Sequence, residues 1–365
     1  MFAADAASHP VIGGMGDSNA LTLLSQLHEA HTAFIYVDVD LGFFAPNTSE
    51  ITGQTNENLQ VTLPSPDISY AALIDTQSSL LYAWLADMLV AMETTPKSTS
   101  YGQRQMLKDP DAWSPFREKA RSRCVITRPD GPFASSRIYT HSGIFSAVIF
   151  RGILFSSEVM ESVSHGCFFP TLESWHTFVD SYSTRPDRDK YICWPCPYGH
   201  TNPRKISNVP TFWLSSIDLH KKLGSSPSSP DAPSFLTLIK WIQAHRLLNE
   251  QKGFPSFGKL NSYLLVVDLV YSSQVKLPSL QEVADATQYL NMGAANGLQK
   301  LGLVDHNVSV ASAFIQLHHA MEQKVDACRE RMGYDMFVTE HSLCLSLALV
   351  CPTRFSPRGR TGLID

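Results

Sequence analysis

One segment of this chain, Thr140–Val163, is apolar on almost every side of the helix that its residues predict. A helix at a protein surface carries an apolar stripe on one face and polar residues on the other. Here apolar side chains point in nearly all directions: Ile144, Phe145, Val148, Ile149, Phe150, Ile153, Leu154 and Phe155. Only a fully buried helix tolerates this pattern, so we expect other elements to surround the segment.

Helical spacing of apolar residues recurs along much of the chain. It predicts long core helices over Ile68–Met92 and Ala311–Met332 and a shorter helix over Thr211–Leu223. Ser234 and Ser279 stand where helix N-caps are preferred, and Ser279 is followed three residues later by a glutamate, as in a capping box. We therefore predict a mainly α fold with about six or seven helices and a few short strands.

The strand predictions rest on three apolar runs. Ala33–Phe44 alternates in the manner of a strand, Leu343–Val350 reads as a closing strand, and Tyr263–Tyr271 fits either a strand or a short buried helix. Lys97–Pro132 is polar, basic and interrupted by four prolines, so we expect it to be largely irregular.

Composition divides the chain into parts. Residues 1–20 are small and glycine-rich and are predicted to form an N-terminal arm. Residues 164–210 contain many turn-forming residues between two helical segments, which predicts an insertion that leaves the core. The principal domain would then comprise residues 21–163 and 211–365.

Charge is distributed unevenly behind a net charge of −5. The first 96 residues hold eleven Asp and Glu residues and no Lys or Arg, which excludes a basic N-terminal arm that neutralises phosphates. Residues 97–137 hold nine Lys and Arg against four acids, with Trp113 and Phe116 among them. A solvated charged face is the favoured interpretation of this stretch, and contact with a nucleic-acid backbone is the other.

The chain carries seven cysteines, an odd number, and begins without a basic residue ahead of an apolar run. Both features predict a protein of a reducing compartment without a secretory signal. The longest apolar runs fall short of the ~20 residues that span a bilayer, so no membrane partner is expected.

Gly253–Lys259 matches the spacing of a phosphate-binding loop. That mechanism needs backbone amides that point at phosphate and a hydroxyl after the lysine. Pro255 has no amide hydrogen and position 260 is Leu260, so we interpret the loop as an ordinary turn.

Two further patterns suggest metal or redox chemistry. Cys193 and Cys196 form a Cys-x-x-Cys pair with His200 nearby, for which structural thiols are favoured over a metal site and a redox site. Asp38 and Asp40 share one face of the predicted strand, which suits either a divalent cation or a solvated edge. Neither pattern argues strongly for catalysis, so we expect no enzyme, metal or cofactor.

Residues 258–303 contain a succession of packing residues: Gly258-Lys-Leu-Asn-Ser-Tyr-Leu-Leu-Val-Val-Asp268-Leu-Val-Tyr271, then Val275-Lys-Leu-Pro278-Ser-Leu-Gln-Glu282, then Leu290-Asn-Met-Gly293-Ala-Ala-Asn-Gly297-Leu-Gln-Lys-Leu301-Gly302-Leu303. This succession resembles the C-terminal half of partitivirus capsid proteins, the coats of small non-enveloped double-stranded RNA viruses. The resemblance covers about 45 residues and carries no catalytic signature.

The resemblance implies a helical shell domain with an inserted protruding arch, for which residues 164–210 are the candidate. It implies dimers that close into an icosahedral shell around double-stranded RNA and the viral polymerase, located in the virion and the host cytoplasm. The residues that face the RNA inside the shell would then come from the basic stretch 97–137 and from residues 354–360. They are Arg117, Lys119, Arg121, Arg123, Arg354, Arg358 and Arg360.

Two alternatives belong to other functional classes. A host-encoded interaction protein descended from such a coat would keep the fold without forming shells. A metal-dependent sugar-nucleotide enzyme would use Asp38 and Asp40 to hold its cation.

Overall fold

The computed structural model describes residues 69–94, 101–193, 204–224 and 232–350. Apart from Ser69, these residues belong to one of the two units into which the chain divides, residues 70–365. The described ranges are mainly helical and contain no strand, only one antiparallel bridge between Arg246 and Lys252. The prediction of a mainly α fold is confirmed.

Sixteen α-helices occur in the described residues: α1 Tyr70–Glu93, α2 Tyr101–Lys108, α3 Pro110–Trp113, α4 Arg121–Ile126, α5 His141–Ile149, α6 Val159–Ser162, α7 Leu172–Asp180, α8 Arg188–Ile192, α9 Val209–Leu223, α10 Phe235–Ala244, α11 Lys259–Tyr271, α12 Leu280–Leu290, α13 Gly293–Lys300, α14 Val310–Val325, α15 Arg329–Met332 and α16 Met336–Val350. Short 3₁₀ turns cover Arg117–Lys119, Ile206–Asn208 and Asp326–Cys328, and a π-helical turn covers Phe150–Leu154.

The all-apolar segment forms α5 and the π-helical turn that follows it. Every residue from Gly143 to Leu154 is buried. Thr140 caps α5, because its hydroxyl oxygen accepts a hydrogen bond from the Gly143 N–H at 3.0 Å. The prediction of a buried helix is confirmed for Gly143–Leu154, which α9 helps to cover. The predicted helix does not continue to Val163, because residues 155–158 are not helical and α6 begins at Val159.

Capping residues set the starts of two further helices, as predicted. Ser234 accepts a hydrogen bond from the Thr237 N–H at the start of α10. Ser279 and Glu282 bond to each other's backbone N–H groups and form the capping box of α12. These bonds satisfy amide groups that the first turn of a helix leaves without partners.

The predicted long helices are also present, with changed ends. α1 ends at Glu93, one residue after the predicted end at Met92, and it packs against α14. The predicted helix over Ala311–Met332 is split, because Asp326–Cys328 is a 3₁₀ turn between α14 and α15. Gly333, with φ of 61°, terminates α15 in the left-handed region.

The strand predicted at Leu343–Val350 is wrong, because these residues lie within α16, and Tyr263–Tyr271 is helical within α11. A continuous apolar run has no period that separates a buried strand from a buried helix. The neighbouring helix decides here: Gly293 and Gly297 let α13 approach α16 closely, and a Cβ on Gly297 would lie 2.7 Å from the Leu343 carbonyl oxygen.

Lys97–Pro132 is more regular than predicted, since α2, α3 and α4 lie within it. Pro110 does not break α3 but starts it, at a position where the missing amide hydrogen costs nothing. The predicted strand Ala33–Phe44 lies outside the described residues.

Residues 164–210 contain α7 and α8, and ten of these residues, 194–203, lie outside the described ranges. Phe169, Trp175 and Ile192 belong to the same apolar core cluster as the side chains of α5. The division into a principal domain and an insertion stays a prediction, as does the N-terminal arm at residues 1–20, which lies outside the described part of the chain.

Among the described residues, no helix combines the length and the apolar character needed to cross a membrane.

The close contact of α13 with α16 predicts the effect of adding one methyl group. We expect Gly297→Ala to lower the free energy of unfolding by about 1–3 kcal/mol, because the added carbon overlaps the backbone of α16. Alanine is a better helix former than glycine by about 1 kcal/mol. A lower free energy of unfolding in this variant would therefore show that the steric overlap outweighs the gain in helix propensity. The measurement is urea denaturation, with Asn296→Ala at an exposed position of the same helix as the control. A variant as stable as the wild type would contradict the close approach.

Candidate functional site

Four of the basic residues predicted to face nucleic acid lie on the 3₁₀ turn Arg117–Lys119 and on α4. Lys119 donates a hydrogen bond to the Arg331 carbonyl oxygen at 2.7 Å. Arg121, whose side chain is 41% exposed, pairs with Glu161 at 3.1 Å. These two residues lie at the surface, and their contact with nucleic acid stays a prediction.

Arg123 lies inside the fold, which corrects the prediction that it faces nucleic acid. Its side chain is 4% exposed, and its Nε lies 2.7 Å from a carboxylate oxygen of Glu118. Its guanidinium group lies 4.6 Å from the centre of the Phe133 ring and 3.6 Å from Asp268 Oδ1. Arg123 is therefore held by Glu118, Phe133 and Asp268 and is not available to a phosphate.

Asp268 of α11 is the carboxylate at the centre of this interior arrangement. Arg151, on the π-helical turn, donates two hydrogen bonds to it, from Nε and from Nη2, each of 2.8 Å. Both side chains are at most 4% exposed. This two-pronged geometry is the strongest that a carboxylate and a guanidinium form. It joins α11 to the π-helical turn inside the core.

Aromatic rings complete the surroundings of the Arg151 guanidinium. The group lies 4.3 Å from the centre of the Phe155 ring, a distance typical of a cation–π contact. Arg204, which is also buried, donates a hydrogen bond of 2.7 Å to the Phe155 carbonyl oxygen. The segment after the π-helical turn is thus fixed by two arginines.

Arg117 contributes positive charge to the same region. Glu340 is buried, and burial raises the pKa of its carboxyl while Arg117 opposes that rise. Burial and the charge of Arg117 together hold the pKa of His341 well below its usual range. The His341 ring is therefore neutral at physiological pH.

A small cavity of about 20 Å³ lies between these groups, with room for a water molecule. The residues that line it include Arg117, Arg123, Arg151, Asp111, Ser114, Asp268 and His341. Asp111 is already bonded to the backbone N–H and the hydroxyl of Ser122. The ion pairs of Asp268 with Arg123 and Arg151 thus link α4, α11 and the π-helical turn.

The other predicted sites give three outcomes. Gly253–Lys259 is a structural turn: the Gly253 N–H donates to the His245 carbonyl oxygen and Lys259 donates to that of Tyr289. Burial raises the pKa of the Cys193 thiol to about 12, which leaves it in the unreactive protonated form. Beyond the described residues lie Cys196, His200, Asp38, Asp40, Arg354, Arg358 and Arg360.

Within the described ranges, no group of three or more His, Cys, Asp and Glu side chains is arranged to hold a metal ion. Of the two adjacent histidines in α14, His318 is buried and His319 is exposed. The His318 ring stacks on Tyr334, and its Nδ1 lies 2.8 Å from the Thr339 hydroxyl. Burial lowers the pKa of His318 to about 4.

The sequence interpretation missed the pair of Arg151 and Asp268. The signal was present, because Arg151 is the only charged residue between Ile144 and Phe155, and Asp268 is the only one between Ser262 and Tyr271. A charge that a buried helix carries inward needs a partner of opposite sign, since burying it alone is very costly. Applied to the residues alone, that rule requires an acidic partner for Arg151 and a basic partner for Asp268.

The central ion pair predicts a large effect of one substitution. We expect Asp268→Asn to lower the free energy of unfolding by about 3–5 kcal/mol, because two buried guanidinium groups lose their shared counter-charge. The control is Asp75→Asn, which breaks the surface pair with Lys324 and should cost less than about 1 kcal/mol. Chemical denaturation of both variants measures the difference, and equal losses would count against a central role for Asp268.

The burial of His318 predicts a dependence of stability on pH. The folded chain holds the ring neutral down to about pH 4, whereas the unfolded chain binds a proton near pH 6.5. The unfolded state thus binds more protons between these values, so stability falls as the pH falls through that window. We expect His318→Gln to lose less stability from pH 6.5 to pH 4.5 than the wild type does, and His319→Gln to follow the wild type. The free energy of unfolding is measured by denaturation at both pH values. Equal losses of stability from pH 6.5 to pH 4.5 in all three proteins would disprove this assignment.

Comparisons of this chain with protein-family models, with curated proteins and with solved structures found no match.

Proposed function

We propose that this chain is a coat protein of the partitivirus type. Dimers of it would assemble into an icosahedral shell that encloses double-stranded RNA and a polymerase. In this proposal the helical core is the shell domain, and residues 164–210 belong to a protruding arch.

The observation that carries the proposal is where the resembling residues lie. They form α11, α12 and α13, and nine consecutive residues of α11, from Ser262 to Val270, are buried. Gly293 and Gly297 are positions at which α13 comes close to Cys344 and Leu343 of α16. Such positions tolerate few residue types, so a resemblance there concerns the fold itself rather than average composition.

A second observation concerns apolar side chains at the surface. Leu214, Leu248 and Leu277 are 51%, 107% and 63% exposed, and they lie on α9, after α10 and before α12. Interfaces between subunits have apolar centres. A subunit of a closed shell meets several neighbours, each through roughly 1,600 Å² in a standard interface. Exposed leucines on separate parts of the chain suit such a subunit.

The test is assembly of the full chain expressed alone. We expect light scattering and negative-stain microscopy, at low and at high salt, to show closed particles of uniform diameter. A contribution of the exposed leucines would appear as a loss of particles in Leu248→Ser, while an unchanged melting temperature shows that the subunit still folds.

A chain that remains a monomer or dimer at high concentration under both salt conditions would overturn the proposal. The host-encoded interaction protein would then replace it. The sugar-nucleotide enzyme makes a separate prediction: Mn²⁺ with a nucleotide sugar would raise the melting temperature, and Asp38→Ala would abolish that rise.

A further inference from the structure

Two lysines and one tyrosine meet where α10, α11 and α12 come together. The ammonium group of Lys240, on α10, lies 4.9 Å from the centre of the Tyr289 ring. That of Lys259, the first residue of α11, lies 4.7 Å from the same point. The two positive charges are therefore less than about 10 Å apart and share one ring on α12.

This lysine–tyrosine cluster, Lys240, Lys259 and Tyr289, is held in place by hydrogen bonds. The Tyr289 hydroxyl donates to Gln243 Oε1 at 3.0 Å, which fixes the ring against α10. Lys259 donates to the Tyr289 carbonyl oxygen at 2.8 Å. Its ammonium group has three N–H bonds, so two remain for another acceptor.

Within the described ranges, no carboxylate oxygen lies within 4.0 Å of the ammonium nitrogen of Lys240 or Lys259. Other surface cations do: Lys324 pairs with Asp75 and Arg331 with Glu93. Asp285, one helical turn before Tyr289, is bonded to Gln281. The two ammonium groups raise the local positive potential, and an anion bound beside them would offset it.

We propose that the lysine–tyrosine cluster binds phosphate groups of a nucleic-acid backbone. The lysines lie exposed, so their free N–H groups are accessible to a ligand. Because the ring already carries the two ammonium groups, it does not serve as a platform for base stacking, and the contact reads phosphates rather than sequence. The inference rests on the proposed function for its biological partner. It assigns RNA contact to Lys240 and Lys259, in place of the buried Arg123.

The experiment measures binding of a fluorescent RNA to the full chain between 50 and 200 mM salt. One arm uses an RNA duplex and the other a single strand of the same length, because both present the same phosphate chemistry. The test variant is Lys240→Ser/Lys259→Ser. The matched control is Lys276→Ser/Lys300→Ser, which removes the same charge from two exposed lysines outside the cluster.

We expect the test variant to bind at least tenfold more weakly than the wild type and the control to stay close to the wild type. The slope of log affinity against log salt should fall by about 1.8 for the duplex, because two phosphate contacts each contribute about 0.9. Melting temperatures of both variants confirm that each is folded.

Three results would overturn the inference: no RNA binding by the wild type, equal weakening in both variants, or weakening without a change of slope. Particle formation is scored in the same samples by negative stain. Particles with unchanged RNA binding in the test variant would refute the cluster and leave the coat proposal intact. Loss of binding in the test variant alone, without particles in any sample, would support the cluster and count against the coat.

Discussion

The carboxylate of Asp268 is the point at which the charges of the protein interior are balanced. It faces the guanidinium groups of Arg151 and Arg123, and all three side chains are almost completely buried. Because taking a charge out of water costs several kcal/mol, the arginines need this partner, the Glu118 carboxylate that also pairs with Arg123, and the aromatic rings around them. The positions of α4, α11 and the π-helical turn relative to one another follow from that constraint.

The π-helical turn itself has a role in this arrangement. It continues α5 through Phe150–Leu154 and includes Arg151. Such turns are rare and are often found where a side chain must be presented in a particular way. Here the turn accompanies the entry of a charged side chain into a helix that is otherwise apolar. Arg204 and Phe155 then hold the chain that leaves it.

The basic segment illustrates how one stretch of sequence can serve two purposes. Arg123 stabilises the interior, whereas Lys119 and Arg121 lie at the surface. A count of charges treats these residues alike, since it carries no information on direction. The lysine–tyrosine cluster shows the converse, because Lys240 and Lys259 are separated in sequence and only the packing of α10 against α11 brings them to one ring.

The sequence by itself determined the elements whose signals are local. The apolar pattern of Ile144–Phe155 required burial, and Ser234 and Ser279 marked helix starts, because capping bonds involve residues three apart. Only the tertiary structure decided that Leu343–Val350 is helical and that Arg123 points inward. Both outcomes depend on partners distant in the chain, the glycines of α13 and Asp268 of α11, and a local pattern cannot specify which distant residues it will meet.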